Sequence, residues 1–258
     1  MCEWITTTGH GFDERFAVKI DSLVSGNDGD VSLSMVLYEL LQRFKNPFCV
    51  DIGADKGWVS MFCAKYKPDS RVIAFEPTKE GFEQLVNNTK VYPSVVSYNL
   101  AISDCSGSLP FRIDGSDSHS RADPNTSFPC DRLQAFVKDS DLIHFMKIDT
   151  EGHEPTILFS IEAMLPRIAS LVFEFTTYWY GSTKEECLET SLKMLQLVSN
   201  QFHYIYMLSR RGKPILYGPI TKDYFLAHIV NLYEDGMQTD ILASKVPIES
   251  VPIVSLIE

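Results

Sequence analysis

The chain has 258 residues, which gives room for one large domain or two small ones. Hydrophobic residues make up 45% of it and charged residues 22%, a composition that argues against collagen-like, disordered and disulfide-scaffold proteins. The formal net charge of −11 would repel a phosphate backbone, so nucleic acid is not an expected partner. No apolar run approaches the roughly 20 residues that cross a bilayer, so no membrane partner is expected either.

The beginning of the sequence and its cysteines indicate the compartment. Residues 1–9 contain neither the basic segment nor the apolar segment of a secretory signal, so a cytoplasmic protein is expected. Six cysteines are scattered without a C-x2-C pair, and several lie inside apolar runs. We expect reduced thiols, with neither a zinc site nor disulfides.

The first predicted element is an amphipathic helix that ends before Pro47 and has Asp30 or Ser32 as its N-cap. Its apolar stripe consists of Leu33, Leu37, Leu40, Leu41 and Phe44. Strands and helices then alternate. The expected strands are 48–52, 72–75, 95–101, 142–148 and 170–175, and the expected helices are about 58–66, 79–90, 155–165 and 184–197. This alternation predicts a doubly wound α/β sheet, mostly parallel, with helices on both faces.

Three segments depart from the alternation. Residues 108–113 contain Pro110 and are predicted to be an edge strand. Residues 114–129 are polar and are predicted to be a long loop, either a lid or unstructured, that includes His119 and Arg121. Two further strands are expected near 203–208 and 214–217, joined by a turn.

The elements suggest three parts. Residues 1–46 would be an N-terminal extension, residues 47–235 the α/β domain, and residues 236–258 a tail that packs on the domain or extends from it.

The first chemical signature is the glycine loop Asp51-Ile-Gly-Ala-Asp-Lys-Gly57, which follows a strand and opens a helix. Glu76 ends the next strand, where a carboxylate can accept both ribose hydroxyls of an adenosine cofactor. The loop lacks the middle glycine of the dinucleotide pattern and has Asp55 where pyrophosphate charge would lie. S-adenosylmethionine has no phosphate, and Asp51 suits its ammonium group. This cofactor is therefore favoured over NAD(P).

Four motifs occur in a fixed order: Asp51–Gly57, Ala74–Pro77, Asn99–Asp104 followed by Gly107, and Lys147–Glu154. With them, the chain resembles the FkbM family of S-adenosylmethionine-dependent methyltransferases over about residues 47–177. The resemblance implies a class I, Rossmann-like fold with a seven-stranded sheet, and O-methylation as the common activity. It also implies a cofactor across the C-terminal ends of the first strands, with Asp104 where the adenine amino group is read. The expected cofactor-binding residues are Asp51, Gly53, Ala54, Gly57, Glu76, Pro77, Ala101, Ile102 and Asp104.

The fourth motif places Asp149, Glu151 and His153 at the C-terminal end of a buried strand, the edge of an open α/β sheet where ligands lie. Methyl transfer is an in-line displacement, and a hydroxyl acceptor must also lose its proton to a carboxylate or a histidine. We expect Asp149 or Glu151 near the reacting centre and His153 as a base, with an ordinary exposed or hydrogen-bonded histidine as the alternative. Glu154 precedes Pro155 and is interpreted as the start of a helix.

The carboxylates of this motif, together with His153 and Glu174, would also suit Mg²⁺ or Mn²⁺. Spacing alone does not establish a metal site, and none is predicted. Tyr178, Trp179 and Tyr180 follow a strand and are candidates to line an acceptor pocket, since aromatic faces stack on sugars.

The sequence thus predicts an S-adenosylmethionine-dependent O-methyltransferase that acts on a hydroxyl group of a small molecule or glycan. Three alternatives stay open. One is methylation of a carboxyl or amine group. Another is a catalytically silent methyltransferase fold that binds a cofactor or a partner protein. The third is an NAD(P)-dependent oxidoreductase.

Overall fold

The computed structural model describes residues 31–110, 112–114, 119–121, 127–208, 216–249 and 253–254. Within these residues six α-helices occur: α1 (Val31–Gln42), α2 (Trp58–Tyr66), α3 (Lys79–Thr89), α4 (Glu154–Ser160), α5 (Lys184–Ser199) and α6 (Lys222–Glu234). The strands of the main sheet are β1 (Phe48–Ile52), β2 (Arg71–Phe75), β3 (Val95–Tyr98), β9 (Phe145–Ile148), β10 (Ser170–Phe175), β11 (Tyr204–Leu208), β12 (Leu216–Tyr217), β13 (Thr239–Ser244) and β14 (Ile253–Val254). Five shorter strands lie beside it: β4 (Ala101–Ile102), β5 (Gly107–Pro110), β6 (Arg112–Asp114), β7 (His119–Arg121) and β8 (Ser127–Asp131).

The main sheet has the order β14-β12-β11-β13-β10-β9-β1-β2-β3. Strands β3, β2, β1, β9 and β10 are parallel neighbours, whereas β13 is antiparallel to both β10 and β11. The predicted doubly wound and mostly parallel sheet is therefore confirmed, with β12 and β14 as short additions to the expected seven strands. The strand order reverses between β1 and β9, and ligands bind at such a switch point.

Helices cover both faces of the sheet. Side chains from α4, α5 and α6 enter the core on one face, and those from α1 and α2 enter the core on the other. The four leucines of the predicted stripe are buried in α1, whereas Phe44 lies beyond the end of the helix and is half-buried. Part of the predicted N-terminal extension, helix α1, thus contributes to the hydrophobic core of the α/β domain. Ser32 lies inside α1 and is not its N-cap, and Asp30 lies outside the described residues.

The predicted strand 95–101 is in fact two strands in different sheets. β3 ends at Tyr98, and the next residue, Asn99, donates from Nδ2 to the carbonyl oxygens of Glu76 at 2.9 Å and Pro77 at 3.1 Å. These bonds tie the chain to the end of β2. β4 then pairs with β8 outside the main sheet.

The prediction of a long loop over 114–129 is wrong in part. β7 pairs with β6, and β8 lies between β4 and β5 in a three-stranded sheet. Residues 115–118 and 122–126 lie outside the described part of the chain. Cys130 is the one buried residue of β8, so this strand does not need the alternating apolar residues that identify a half-buried strand in a sequence. The pattern therefore gave no sign of a strand.

The predicted boundary at residue 235 is also wrong. β13 lies between β10 and β11, and all six of its residues are buried. Residues 239–244 are consequently a central strand of the domain and not part of a tail. The turn predicted between β11 and β12 lies outside the described residues, but the two strands pair in the antiparallel sense that it requires.

Among the described residues, no helix is both long enough and apolar enough to cross a membrane.

The packing of α1 yields a prediction of stability. Leu37 is fully buried against the sheet, whereas Leu142 is an exposed leucine on the same domain. We expect Leu37→Ala to lower the free energy of unfolding by about 2–5 kcal/mol, because it removes buried methyl groups and leaves a cavity. Leu142→Ala should change it by about 0.5 kcal/mol or less. Urea denaturation of the two variants measures this, and equal effects would show that α1 is not part of the cooperative fold.

Candidate active site

The glycine loop joins β1 to α2 at the C-terminal edge of the sheet. The backbone N–H groups of Gly53 and Ala54 donate to the carbonyl oxygen of Phe75 at 3.0 and 2.9 Å, which ties the loop to the end of β2. Gly53 has a φ of +73°, and a Cβ atom there would lie 1.7 Å from the carbonyl oxygen of Asp149. Glycine is therefore required where the ends of β1 and β9 meet.

Gly57, at the other end of the loop, serves helix packing. Its φ is +82°, and a Cβ atom would lie 2.4 Å from Cδ1 of Leu85 in α3. Ala54 is buried in a small cluster with Ala74 and Leu85. The second glycine of the motif thus lets α2 begin close to α3.

Glu76 joins the glycine loop to α3. The residue is 6% exposed, and its carboxylate accepts hydrogen bonds from the Asp55 N–H at 2.9 Å and from the Thr78 N–H and hydroxyl at 2.9 and 2.6 Å. Thr78 in turn caps α3 by accepting from the Gly81 N–H. Burial raises the pKa of Glu76, although these hydrogen bonds oppose the rise. The oxygen that faces Asp55 accepts this one bond and keeps a lone pair for a ligand hydroxyl.

Asp51 lies beneath the loop and is 1% exposed. Its Oδ2 accepts from the N–H and the hydroxyl of Ser60 at 3.1 and 2.7 Å, while its Oδ1 has no hydrogen-bond partner. Burial raises the pKa of Asp51, and the charge of Lys147 opposes this rise. The prediction that Asp51 binds an ammonium group depends on that one oxygen.

Lys147 provides the positive charge at the centre of the site. Its Nζ lies 3.0 Å from Oδ2 of Asp149 and 3.5 Å from the carbonyl oxygen of Gly53. Burial disfavours its charged form, but the carboxylates of Asp149 and Asp51 outweigh burial and raise its pKa. Lys147 is therefore an ammonium ion that holds the glycine loop against β9.

Three carboxylates converge at the ends of β9 and β10. Asp149, Glu151 and Glu174 each have an oxygen within 4.8 Å of the others. The predicted pair of Asp149 and Glu151 is thus brought together, and Glu174, expected only as a possible ligand, joins it although it is 3% exposed. Carboxylate oxygens at these separations could accept the proton of an acceptor hydroxyl or coordinate a divalent cation.

Glu154 organises the loop that carries Glu151. It begins α4, as interpreted from the sequence, but its carboxylate is also fully buried and turns back into the loop. It accepts from the N–H of Thr150 at 2.6 Å and from the N–H of Gly152 at 3.0 Å. These bonds hold Glu151 at a φ of +55°, a left-handed conformation that is uncommon for a residue with a side chain.

His153 is not a member of the carboxylate cluster. Its Nε2 lies 3.0 Å from the hydroxyl of Ser103, which donates to Oδ1 of Asp104 at 3.2 Å. Burial lowers the pKa of His153, although the charge of Asp104 opposes this, so the imidazole is neutral at neutral pH. The structure therefore places His153 beside the third motif. Its predicted role as a base stays a prediction.

The third motif lies partly in the core. Ile102 is buried in the main core and pairs with Asp131, whereas Ala101 is half-buried and Asp104 is exposed. Pro77 is half-buried beside Glu76. Any ligand contact of Ile102 would thus come from its backbone, while Asp104 can present a side chain.

Between residues 51 and 213, the sequence matches the model of the methyltransferase FkbM domain. The chain belongs to the FkbM methyltransferase family. The match continues past residue 177, where the expected resemblance ended, and includes α5 and β11. The expected class I methyltransferase fold is confirmed.

The chain is similar to several proteins that are named as methyltransferases. Methyltransferase sdnD of Sordaria araneosa is 29% identical over 92 residues, which is 36% of this chain and 31% of that protein. The alignment thus spans about a third of that relative. Among solved structures, the plantazolicin methyltransferase BpumL in complex with SAH has a TM-score of 0.45 and 11% identity over 92% of both chains. A SAM-dependent O-methyltransferase of Thermotoga maritima has a TM-score of 0.45 and 14% identity over 83% of this chain and 65% of that one.

Glu154 gives a prediction on pH dependence. Burial raises its pKa to about 7, whereas a glutamate in the unfolded chain titrates near 4.3. Between these values the folded protein keeps a proton that the unfolded chain releases. Glu154 therefore stabilises the fold at low pH, and this contribution is lost as the pH rises through about 7.

We expect the wild-type protein to lose on the order of 2 kcal/mol more stability between pH 5 and pH 8 than Glu154→Gln, which cannot ionise. Urea denaturation at both pH values measures the difference. Glu162→Gln is the control, since Glu162 is an exposed glutamate of the same region. The same pH dependence in the wild type and in Glu154→Gln would refute the assignment of the buried proton to Glu154.

Proposed function

We propose that this chain transfers a methyl group from S-adenosylmethionine to a hydroxyl group of a small molecule or glycan, in the cytoplasm. The observation that carries the proposal is the convergence of Asp149, Glu151 and Glu174 within 4.8 Å, next to the glycine loop of an FkbM-family domain. A hydroxyl acceptor needs a nearby base, and a carboxylate can act as one.

The residues around the glycine loop suit an adenosine cofactor without phosphates. Glu76 offers a carboxylate oxygen at the end of β2, and Asp51 offers an unpartnered oxygen below the loop. Asp104 is exposed where an adenine amino group would be read. When bound, S-adenosylmethionine would supply an electrophilic methyl group. Asp55 at the tip of the loop disfavours the pyrophosphate of NAD(P).

The charges of the site favour a neutral acceptor. Three carboxylates lie near one ammonium group, that of Lys147, which is already paired with Asp149. An acceptor that carries phosphate or carboxylate groups would be repelled. A sugar or another neutral compound that carries a hydroxyl group would not be repelled.

Aromatic side chains close one side of this region. Trp179 packs against Gly152, where an added Cβ atom would lie 3.3 Å from Cβ of the tryptophan. Tyr178 lies edge-on to Trp179, with their ring centroids 5.6 Å apart, and both are half-buried. Tyr180 is buried instead, and its hydroxyl bonds the backbone of Thr176 and Glu174. Tyr178 and Trp179 are thus the members of the predicted cluster that suit an acceptor.

The cofactor assignment is tested by calorimetry with S-adenosylhomocysteine. We expect a dissociation constant on the order of micromolar for the wild type and at least about tenfold weaker binding by Glu76→Gln, which loses ribose and loop contacts. Glu83→Gln on α3 is an exposed control and should bind like the wild type. NAD should not compete. Tighter binding of NAD than of S-adenosylhomocysteine would favour the oxidoreductase instead.

The catalytic assignment is tested by methyl transfer from labelled S-adenosylmethionine to a panel of neutral sugars and phenols. On the accepted compound, Asp149→Asn and Glu174→Gln should each lower kcat by about 10²–10⁴, because a proton acceptor is lost. Their affinity for S-adenosylhomocysteine should stay within about threefold of the wild type. Glu189→Gln, an exposed variant on α5, is the control.

Two results would contradict the assignment. Unchanged kcat in both variants would exclude these carboxylates from the reaction. Cofactor binding without transfer to any acceptor, including amines and carboxylic acids, would favour the catalytically silent fold.

A further inference from the structure

Two thiol groups meet in the three-stranded sheet that carries the third motif. Sγ of Cys105 and Sγ of Cys130 are 3.9 Å apart. Cys105 is exposed, whereas Cys130 is 5% exposed and is the fourth of the five residues of β8. A disulfide bond requires an S–S distance of about 2.05 Å, so the two sulfur atoms would need to approach each other by nearly 2 Å.

The backbone brings these thiols together. Cys130 pairs with Ala101 on one side and with Gly107 on the other, so the segment between those two residues passes around it. Asp131 fixes this segment at two points. Its carbonyl oxygen accepts from the Ser103 N–H at 3.0 Å, and its Oδ1 accepts from the hydroxyl of Ser106 at 2.5 Å. Cys105 lies between the two anchors, and its nearness to Cys130 follows from the pairing of the strands.

We propose that Cys105 and Cys130 are a redox-modification site, which a disulfide oxidant of the oxidised-glutathione type converts to an intramolecular disulfide that weakens cofactor binding. The effect on the cofactor rests on the proposed function, whereas the disulfide does not. Cys105 directly follows Asp104, the residue predicted to read the adenine. Cys130 is held in the sheet, so closure of the bond moves Cys105 and with it Asp104.

The reaction takes place in two exchange steps. A glutathione disulfide reacts first with the exposed thiol of Cys105, which forms a Cys105–glutathione disulfide and releases one reduced glutathione. The thiol of Cys130 then loses its proton and attacks Sγ of Cys105. This step forms the Cys105–Cys130 bond and releases the second reduced glutathione. The two cysteines are oxidised by two electrons, and the glutathione disulfide is reduced by two.

The environment of the thiols supports this order. Burial, the neighbouring Cys105 and the charges of Asp131 and Asp104 raise the pKa of Cys130 to about 11. Cys130 is therefore protonated at neutral pH and reacts second, when the sulfur atom it attacks is already 3.9 Å away. A disulfide with one exposed member is also open to reduction, as a reversible modification requires.

Peptide mass spectrometry under non-reducing conditions tests the disulfide without reference to the cofactor. The full chain is incubated in glutathione buffers of increasing oxidised fraction, alkylated and digested. We expect a peptide pair linked through Cys105 and Cys130 that disappears after treatment with dithiothreitol. Cys105→Ser and Cys130→Ser should not form it. Cys187→Ser, which changes a buried cysteine of α5, should form it like the wild type.

Calorimetry with S-adenosylhomocysteine tests the consequence. Oxidised wild-type protein should bind about fivefold more weakly than reduced protein, and Cys105→Ser should bind equally under both conditions. Absence of the linked peptide pair would overturn the site. Equal affinity of the oxidised and reduced wild type would overturn its effect on the cofactor. No binding by the reduced protein would overturn the proposed function and leave the disulfide standing.

Discussion

The contact between Gly53 and the end of β9 is the constraint on which the site depends. A side chain at position 53 would overlap the carbonyl oxygen of Asp149, so the loop after β1 and the loop after β9 can meet only through glycine. Lys147 bridges the same junction by binding Asp149 and the carbonyl oxygen of Gly53. The candidate cofactor loop and the candidate catalytic carboxylate therefore share one backbone contact and one cation.

Buried carboxylates hold the loops around this junction. Glu76 binds the N–H of Asp55, and Glu154 binds the N–H groups of Thr150 and Gly152. Each is buried because its oxygens replace water at backbone N–H groups that the strand and helix ends leave without partners. Burial raises the pKa of both carboxyl groups. The site thus depends on acidic side chains for its shape as well as for its proposed chemistry.

The order of the strands in the main sheet places several acidic side chains next to one another. β9 and β10 end side by side, which brings Asp149 close to Glu174. Asp240 of β13 lies opposite Glu174 in the register of the two antiparallel strands. The acidic groups therefore line up across neighbouring strands, with Lys147 among them. A cationic or neutral ligand reduces the mutual repulsion of such groups, whereas an anion increases it. This distribution agrees with the proposed transfer from a positively charged cofactor to a neutral acceptor.

The sequence by itself determined the alternating fold, the leucine stripe of α1, the glycine loop and the pair of Asp149 and Glu151, because these depend on local periodicity and on short motifs. Only the tertiary structure decided which side chains meet. It joined Glu174 to the carboxylates, placed His153 against Ser103, and made β13 a central strand. The sequence could not show these contacts, because pairing between strands far apart in the chain leaves no local pattern. The sequence does not predict β8 either, because a strand with a single buried residue shows no alternation of apolar and polar residues.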